Sequence, residues 1–271
     1  MAGWIASLPQ YDLPEIRRAT DAWWSGIARH LRARGVEDVP DGLTRADDGE
    51  RVWRQPDLLV TQTCGYPLMT ELTGHLRAVA TPLYMCDGCE GPTYASAIIV
   101  RDESGVQAVE DLRGGRAVIN NWNSQSGMNA LRHLVAGRAN EDGRFFGDVV
   151  VSGGHALSMD AVRTARADVA AIDSVTWALH QAHKPDACAG LRILTWSASA
   201  PSLPYAVRVE ASPDLDERVF AALDGAARDP DLADARADLL IDGFLRADNS
   251  DYRRMIDMRM EAESLGYPLL R

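Results

Sequence analysis

The sequence predicts an α/β fold with two lobes, in which central, mainly parallel sheets carry helices on both faces. Three observations lead to this prediction. Short strand patterns alternate with amphipathic helix patterns along most of the 271 residues. The alternation runs in two separate series. Two extended segments, near 94–101 and 203–208, join the series, so the chain crosses twice and forms a two-strand hinge.

These crossings set the expected lobe boundaries. Lobe 1 is predicted to comprise residues 1–97 and 206–271, and lobe 2 residues 98–205. In open α/β sheets, ligands bind where the carboxyl ends of strands meet the first turns of helices. We therefore expect a ligand cleft between the two lobes.

The first series begins with a strand over 4–8. A helix follows, whose apolar residues from Leu13 to Leu31 recur at helical spacing before Gly35 ends it. Segment 36–54 is polar and rich in turns, which predicts a loop with a short strand. A short helix is expected to begin near Pro67. Further strands are predicted at 57–61, 76–84 and 95–101.

The second series repeats this pattern, and the last third of the chain is predicted to be helical. Strands are expected at 116–120, 148–152, 169–173, 191–197 and 203–209. Helices are expected at 109–112, 128–136, 155–166 and 174–181 in this series, and at 213–228, 231–245 and 250–262 in the last third.

Composition and charge exclude several classes of function. The chain is 46% hydrophobic and 25% charged, which is ordinary for a globular protein. Its net charge of −11 argues against nucleic-acid binding and against binding to anionic membranes. No apolar run is long enough to insert into a membrane. The first residues lack the basic and apolar regions of a signal peptide, which leaves a cytoplasmic location and a trimmed leader both open.

Four cysteines invite a metal or redox interpretation. Cys86 and Cys89 form a C-x-x-C pair, whereas Cys64 and Cys188 stand apart, so the spacing of a four-thiolate zinc site is missing. Gly88 marks a loop where a thioredoxin-type motif would open a helix. Free thiols or a local disulfide are the preferred interpretation, and a bridge from Cys64 to the pair is a weaker alternative.

The histidines do not change this conclusion. His180 and His183 lie three residues apart on a predicted helix and lack a supporting set of ligands. We interpret both as surface residues. The sequence therefore predicts neither a metal site nor a cofactor.

A polar turn after the strand 116–120 is the strongest local signal. Ser124, Ser126 and Gly127 precede a helical pattern that begins at Met128. Such a turn directs backbone N–H groups and hydroxyls to one point at a helix N-terminus, which suits a small tetrahedral oxyanion. Plain capping of the helix by either serine is the alternative interpretation.

Other polar side chains lie at the expected cleft side of the sheets. Thr63 and Tyr66 follow a strand, Tyr94 opens a crossing segment, His155 begins a helix and Asp173 ends a strand. Each also has a purely structural interpretation. The tyrosines can pack in the core, and the histidine and aspartate can cap helices. Their clustering at strand ends favours a binding site.

Four segments resemble the solute-binding proteins of phosphonate-type ABC transporters. Tyr94–Arg101, followed by Asp111–Gly114, resembles their hinge and the segment after it. Ser124–Gly127 resembles their Ser-Thr-Ser-Gly turn for phosphate and phosphonate. Ser152–His155 resembles their Ser-Gly-Ser-His segment, and Ala167–Asp173 resembles the strand that follows it. The order and spacing of the segments agree over about residues 55–210.

The resemblance implies a type II periplasmic-binding-protein fold and a set of binding residues. Asp173 matches the position where aminophosphonate binders hold the ligand's ammonium, and the first-lobe aromatic falls loosely at Tyr66 or Thr63. Two positions depart from the family pattern: Gln125 replaces a threonine and Gly154 replaces a serine. The head group is expected to contact Tyr94, Ser124, Gln125, Ser126 and His155.

The implied function is binding of a small phosphorus oxyanion, namely phosphonate, phosphate or phosphite. The resemblance implies that this takes place in the periplasm and that the ligand is delivered to an ABC-transporter permease. His155 is expected to donate a charge-assisted hydrogen bond, and the lobes to close over the ligand. A cytoplasmic sensor of the same fold is the first alternative. An enzyme, with Cys86 or Cys89 as nucleophile and His155 as base, is the second; we expect no catalysis and no catalytic residues.

Overall fold

The computed structural model describes residues 3–45, 49–140 and 142–271. The chain divides into two compact units. Unit 1 comprises residues 1–85, 90–92 and 201–252, and unit 2 comprises residues 86–89, 93–200 and 253–271. Met1 and Ala2, which begin the segment that lacks the pattern of a signal peptide, lie outside the described residues.

The strands and helices follow one another in the alternating order expected from the sequence. The strands are β1 Ile5–Ser7, β2 Leu58–Gln62, β3 Leu76–Tyr84, β4 Cys89–Glu90, β5 Thr93–Tyr94, β6 Ser96–Arg101, β7 Arg116–Ile119, β8 Asp148–Val151, β9 Val169–Asp173, β10 Leu191–Trp196, β11 Ala200–Pro201, β12 Tyr205–Arg208 and β13 Ile241–Arg246. The helices are α1 Arg17–Ala33, α2 Gly49–Val52, α3 Gly65–Met69, α4 Ala130–Ala136, α5 His155–Arg163, α6 Ser174–His183, α7 Pro213–Ala227, α8 Ala233–Asp238 and α9 Arg253–Ser264.

Unit 1 is built on a five-stranded sheet in the order β1-β2-β12-β3-β13. Helix α1 buries one apolar face completely, with Trp23 and Trp24 both 0% exposed. The indole nitrogen of Trp23 donates a hydrogen bond to the hydroxyl of Tyr205 at 3.1 Å, so the one polar atom of this ring is satisfied inside the core. Gly35, with φ of 74°, adopts the left-handed conformation that ends the helix.

Unit 2 is built on a second five-stranded sheet, in the order β10-β6-β9-β7-β8. Strands β7, β8 and β9 run parallel, and each is followed by a helix or a helical turn. Their carboxyl ends therefore lie at the same edge of the sheet, together with the first turns of the helices that follow. This edge positions Ser124–Asn129, His155 and Asp173.

The α/β fold class is confirmed, but the sheets are mixed rather than mainly parallel. Strand β12 pairs antiparallel with β2 and β3, and β6 pairs antiparallel with β9 and β10. Both β6 and β12 belong to the extended segments that were expected to cross between lobes. Each of these strands pairs with strands that are distant in sequence. No βαβ connection, which would make neighbouring strands parallel, fixes its direction.

One predicted helix was wrong. Segment 231–245 contains only the short helix α8, and residues 241–246 form strand β13, which pairs antiparallel with β3. The chain reverses at Leu240, whose φ of 59° is incompatible with a continuing helix. The spacing of the apolar residues in this segment fits both a helix and a strand. The pairing with β3 favours the strand.

The C-terminal segment also lies elsewhere than expected. Residues 253–271 pack in unit 2, whereas the sequence placed them in lobe 1. Helix α9 contacts α4, and its Met255 and Met258 are fully buried. The preceding segment up to Tyr252 belongs to unit 1, so the chain passes from unit 1 to unit 2 once more after Tyr252, and no sequence signal marked this passage.

Two smaller findings complete the fold. The loop expected over 36–54 contains helix α2, and its residues 46–48 lie outside the described part of the chain. Nowhere in the described ranges does a helix have the length and apolarity needed to cross a bilayer.

Candidate functional site

The polar turn after β7 is a single turn of π-helix, Gln125–Asn129, that leads into α4. Ser124 is its N-cap, because its hydroxyl accepts a hydrogen bond from the N–H of Gly127 at 3.0 Å. Gly127 has no room for a side chain, since an added Cβ would lie 1.9 Å from Oδ1 of Asn120. The turn therefore depends on a glycine at this position, and Ser124 acts as a cap whether or not it also contacts a ligand.

Ser126 and His155 are brought together by two adjacent loops. The hydroxyl oxygen of Ser126 lies 2.8 Å from Nε2 of His155. Gly153, with φ of 94°, turns the chain after β8, and its N–H donates to the carbonyl of Asn120 at 3.0 Å. This backbone bond joins the loop after β8 to the loop after β7 and places the imidazole beside the first turn of the π-helix.

The imidazole of His155 is uncharged at neutral pH in this arrangement. Desolvation by burial, with a smaller effect from nearby His180, lowers its pKa from 6.5 to about 4. The residue as a whole is half-buried, but its Nδ1 is enclosed and has no hydrogen-bond partner among the described residues. A charge-assisted bond to an anion, as expected from the sequence, therefore requires uptake of a proton when the anion binds.

The side chain of Gln125 points into the protein. Its Nε2 donates to Sδ of Met258 at 3.2 Å, and its Oε1 accepts from Nδ2 of Asn129 at 2.6 Å. Both ends of the amide are used in the interior, where the residue is only 1% exposed. The group of Gln125 that suits an anion is therefore its backbone N–H, in the first turn of the helix, and not its side-chain amide.

A buried polar network supports the turn from behind. Asn129 donates to the carbonyl of Met255 at 2.9 Å and accepts a 2.6 Å hydrogen bond from Arg132. Arg132 also donates to the carbonyl of Pro268 at 2.9 Å and is 4% exposed. In the described part of the chain, no carboxylate pairs with this guanidinium. The network was not predicted from the sequence, because the Met255 and Pro268 carbonyls that accept from Asn129 and Arg132 lie more than 120 residues away along the chain.

Asp173 and Tyr94 are both buried in unit 2. Asp173 is the N-cap of α6, and its carboxylate accepts from the N–H of Thr176 at 3.0 Å. It is 2% exposed, and the thiol of Cys89 lies 3.4 Å from the hydroxyl of the next residue, Ser174. Tyr94 is also 2% exposed, and Ala95 next to it donates its N–H to the carbonyl of Gly88 at 2.7 Å.

Thr63 and Tyr66 belong to unit 1. Thr63 follows β2 and donates its N–H to the carbonyl of Pro204 at 3.0 Å. Tyr66 lies in α3 and is 8% exposed. Whether these two residues share a ligand with Ser126 and His155 stays a prediction.

The cysteines and the two neighbouring histidines give one confirmation and one correction. Cys64, Cys86, Cys89 and Cys188 are all free thiols, so the weaker alternative of a bridge from Cys64 is not present. His180 is 2% exposed, and the prediction that it lies on the surface was wrong. Its Nδ1 lies 2.9 Å from the carbonyl oxygen of Thr176, one helical turn earlier, which allows the ring to be buried in α6.

The sequence matches one protein-family model. Residues 54–252 match the family described as "ABC transporter, phosphonate, periplasmic substrate-binding protein". This range contains all eight candidate binding residues that the sequence predicts. No curated protein matches the chain.

Several solved structures have the same fold. A binding-protein component of an ABC phosphonate transporter from Pseudomonas aeruginosa is 15% identical, with a TM-score of 0.79 over 98% of this chain and 88% of that chain. PhnD1 from Prochlorococcus marinus, solved with methylphosphonate, is 11% identical, with a TM-score of 0.76 over 98% of both chains. A protein from Xanthomonas citri bound to chloride ion is 17% identical, with a TM-score of 0.72 over 97% of this chain and 98% of that chain.

Proposed function

The chain belongs to the family of periplasmic substrate-binding proteins of phosphonate ABC transporters, and from this premise we propose that it binds a small phosphorus oxyanion for a transporter permease. The ligand class is a phosphonate, phosphate or phosphite. The family assignment covers binding and delivery and includes no catalytic step.

The pairing of Ser126 with His155 carries this proposal. An oxyanion needs several donors that converge on one point, and the hydroxyl, the imidazole and the N–H groups of the π-helical turn meet this need together. Ser124 contributes by holding the turn through its bond to Gly127. Gln125 contributes through its backbone, since its amide is committed to the interior.

Asp173 supports a narrower choice of ligand. Its carboxylate is buried and accepts a hydrogen bond from the uncharged N–H of Thr176. A buried carboxylate is a suitable partner for a ligand's ammonium, and the resemblance to aminophosphonate binders places an acid at this position. We therefore place the ammonium of an aminophosphonate at Asp173, with Tyr94, Tyr66 and Thr63 as the remaining predicted contacts.

A Ser–His pair at 2.8 Å is also found in nucleophilic enzymes, but two observations argue against that function here. A catalytic histidine is held in its working tautomer by a third group on its other nitrogen. In the described chain, Nδ1 of His155 has no such partner. Its pKa of about 4 also makes the imidazole a weak base at neutral pH.

A thermal-shift screen of the dialysed protein tests the proposal. The panel contains phosphate, phosphite, methylphosphonate, 2-aminoethylphosphonate, sulfate and an alkylsulfonate. A ligand at about 100 times its dissociation constant adds about 2.7 kcal/mol of stability, which raises Tm by several degrees for a protein of this size. We expect a shift confined to the phosphorus oxyanions. A shift with sulfate alone, or with no member of the panel, would contradict the proposal.

The variant Asp173→Asn tests the narrower choice. Asparagine also caps helices, so α6 is retained while the negative charge is lost. We expect 2-aminoethylphosphonate to bind at least about tenfold more weakly to the variant, and methylphosphonate to bind as it does to the wild type. Equal losses for both ligands would show that Asp173 does not contact an ammonium.

A further inference from the structure

Cys86 and Cys89 lie at the two ends of one tight turn. The N–H of Cys89 donates to the carbonyl of Cys86 at 3.1 Å, and Gly88 between them has φ of 85°. These features define a β-turn with a left-handed residue at its third position. The ends of such a turn lie within about 7 Å of each other, Cα to Cα, which overlaps the range of about 4.4–6.8 Å that disulfides require.

The two sulfur atoms already face each other in the reduced protein. Their separation is 3.5 Å, so both side chains point to the same side of the turn. Both cysteines are half-buried, and Asp87 between them is exposed. The turn is therefore accessible to small solutes. A disulfide would need the sulfurs to approach by about 1.5 Å, to the usual bond length of about 2 Å.

The turn is held rigidly from two sides. The ring of Trp196 covers Gly88 so closely that an added Cβ would lie 2.4 Å from it. The carbonyl of Gly88 accepts a 2.7 Å hydrogen bond from the N–H of Ala95. A turn that is fixed before reaction loses little conformational entropy when a ring closes across it.

The two thiols differ in their surroundings. Cys89 interacts with the hydroxyl of Ser174 at 3.4 Å, and the hydrogen bond between the two cysteines lowers the pKa of Cys89. The same bond, together with burial, raises the pKa of Cys86. Of the two thiols, Cys89 is therefore the one that ionises more readily, and the thiolate is the form that reacts with disulfides.

We propose that Cys86 and Cys89 form a redox-active dithiol site, which is converted reversibly to an intramolecular disulfide by exchange with a low-molecular-weight disulfide. No sulfur outside the turn takes part in the product. The dithiol is chemically distinct from Ser126 and His155, although Cys89 contacts Ser174, the neighbour of the proposed ligand residue Asp173. Its test needs no ligand.

The exchange proceeds in two balanced steps. The thiolate of Cys89 attacks one sulfur of the small disulfide, whose S–S bond breaks and releases one thiolate that takes up the proton lost by Cys89. Cys86 then loses its proton and attacks Sγ of Cys89. The mixed disulfide breaks, and the second small thiolate takes up that proton. Two protein thiols are oxidised and one small disulfide is reduced to two thiols.

The experiment equilibrates the full chain with glutathione buffers of increasing oxidised fraction. The samples are quenched in acid, the remaining thiols are alkylated, and the products are analysed as intact protein and as peptides. We expect two thiols to be protected together, in a peptide that links Cys86 to Cys89. Cys64 and Cys188 are expected to stay alkylated, and the mixed disulfide with glutathione to stay a minor species.

Three variants sharpen the test. In Cys86→Ser the ring cannot close, so the glutathione adduct of Cys89 is expected to accumulate instead. Gly88→Ala strains the turn and is expected to move the oxidation midpoint toward oxidised glutathione by about tenfold. Cys188→Ser is the matched control, and its midpoint is expected to equal that of the wild type.

Two outcomes would overturn the proposal. One is full alkylation of Cys86 and Cys89 of the wild type in every buffer, and the other is a disulfide that joins either residue to Cys64 or Cys188. The peptide map of the wild type alone shows whether Cys86 and Cys89 form a disulfide, so the test does not depend on the folding of any variant.

Discussion

The hydroxyl of Ser126 and the Nε2 of His155 lie 2.8 Å apart and satisfy each other without a ligand. This bond joins the first turn after β7 to the first turn of α5. An oxyanion that enters the site must therefore replace one good hydrogen bond with two stronger ones. Bonds to a charged acceptor are about twice as strong as neutral ones, so the exchange favours the bound state.

Replacement of Ser126 by alanine is expected to weaken oxyanion binding by about 1–3 kcal/mol, which is about 5- to 150-fold in dissociation constant. The loss arises because one donor to a charged group disappears from a desolvated site. Isothermal titration of the ligand found in the thermal screen gives the value. Ser264→Ala, at an exposed position near the end of α9, is the control. Equal affinity of both variants and the wild type would remove Ser126 from the site.

His155 is expected to make folding stability depend on pH between about 6.5 and 4. Its pKa is about 4 in the folded protein and 6.5 for an unperturbed histidine, so the unfolded chain holds the proton in this window and the folded chain does not. The free energy of unfolding therefore decreases as pH falls through the window. Below about pH 4 both states hold the proton, and His155 causes no further decrease. The sign follows from the lowered pKa of the folded state.

The measurement compares urea unfolding of the wild type with that of His155→Gln at about pH 7 and about pH 4.5, which lie above and inside the window. The stability of the wild type relative to the variant is expected to decrease at the lower pH, because glutamine does not titrate. His75→Gln removes an exposed histidine and serves as the control for the general effect of acid. A constant difference between wild type and His155→Gln would contradict a neutral imidazole with a lowered pKa in the folded protein.

Ligand binding is expected to be coupled to the same proton. A bound anion next to His155 raises its pKa, so binding takes up a proton and becomes tighter as pH falls from about 7 toward 4. The ligand also titrates, and the ratio of the affinities of the wild type and His155→Gln removes that contribution. A ratio that does not change with pH would show that His155 stays neutral in the complex.

The sequence predicted best, where the determining contacts are local, which candidate residues share one edge of a sheet. Ser124, Ser126, Gly127 and His155 lie at strand ends, and the order of strands and helices alone brings such ends to one edge of a sheet. The direction of the Gln125 side chain was beyond reach, since it depends on Met258, which is 133 residues away. Strand β13 was missed for the same reason, because its pairing with β3 is a long-range contact.

Gly127→Ala is expected to destabilise unit 2 by about 1–3 kcal/mol, because the new methyl group would overlap Oδ1 of Asn120. Gly154→Ser is the matched control. Gly154 is the N-cap of α5, has an extended backbone with φ of −177° and has nothing within 4 Å of an added Cβ. A serine there is expected to raise stability by a few tenths of a kcal/mol. Chemical denaturation of both variants separates a steric clash at position 127 from the general effect of replacing a glycine. Equal free energies of unfolding for the two variants would contradict the clash.

Arg132 is expected to serve both the fold and the binding of an anion. Its guanidinium is buried, donates to Asn129 and to the carbonyl of Pro268, and has no carboxylate partner among the described residues. Arg132→Met removes two charged hydrogen bonds and leaves two buried acceptors, so we expect a loss of about 2–4 kcal/mol in stability. Arg228→Met, at an exposed ion pair with Asp224, is the control and is expected to change stability by less than about 0.5 kcal/mol.

The effect on binding follows from the same uncompensated charge. Arg132 lies six positions after Ser126, beyond the π-helical turn. A buried guanidinium about 10 Å from a bound anion would attract it by about 1–2 kcal/mol at an effective dielectric constant of about 20. We therefore expect Arg132→Met to weaken oxyanion binding about 5- to 30-fold and Arg132→Lys to weaken it less. Because the charge is buried, the loss is expected to persist at high salt. An affinity that is unchanged in a folded Arg132→Met protein would limit this arginine to a role in holding Asn129 and the C-terminal segment.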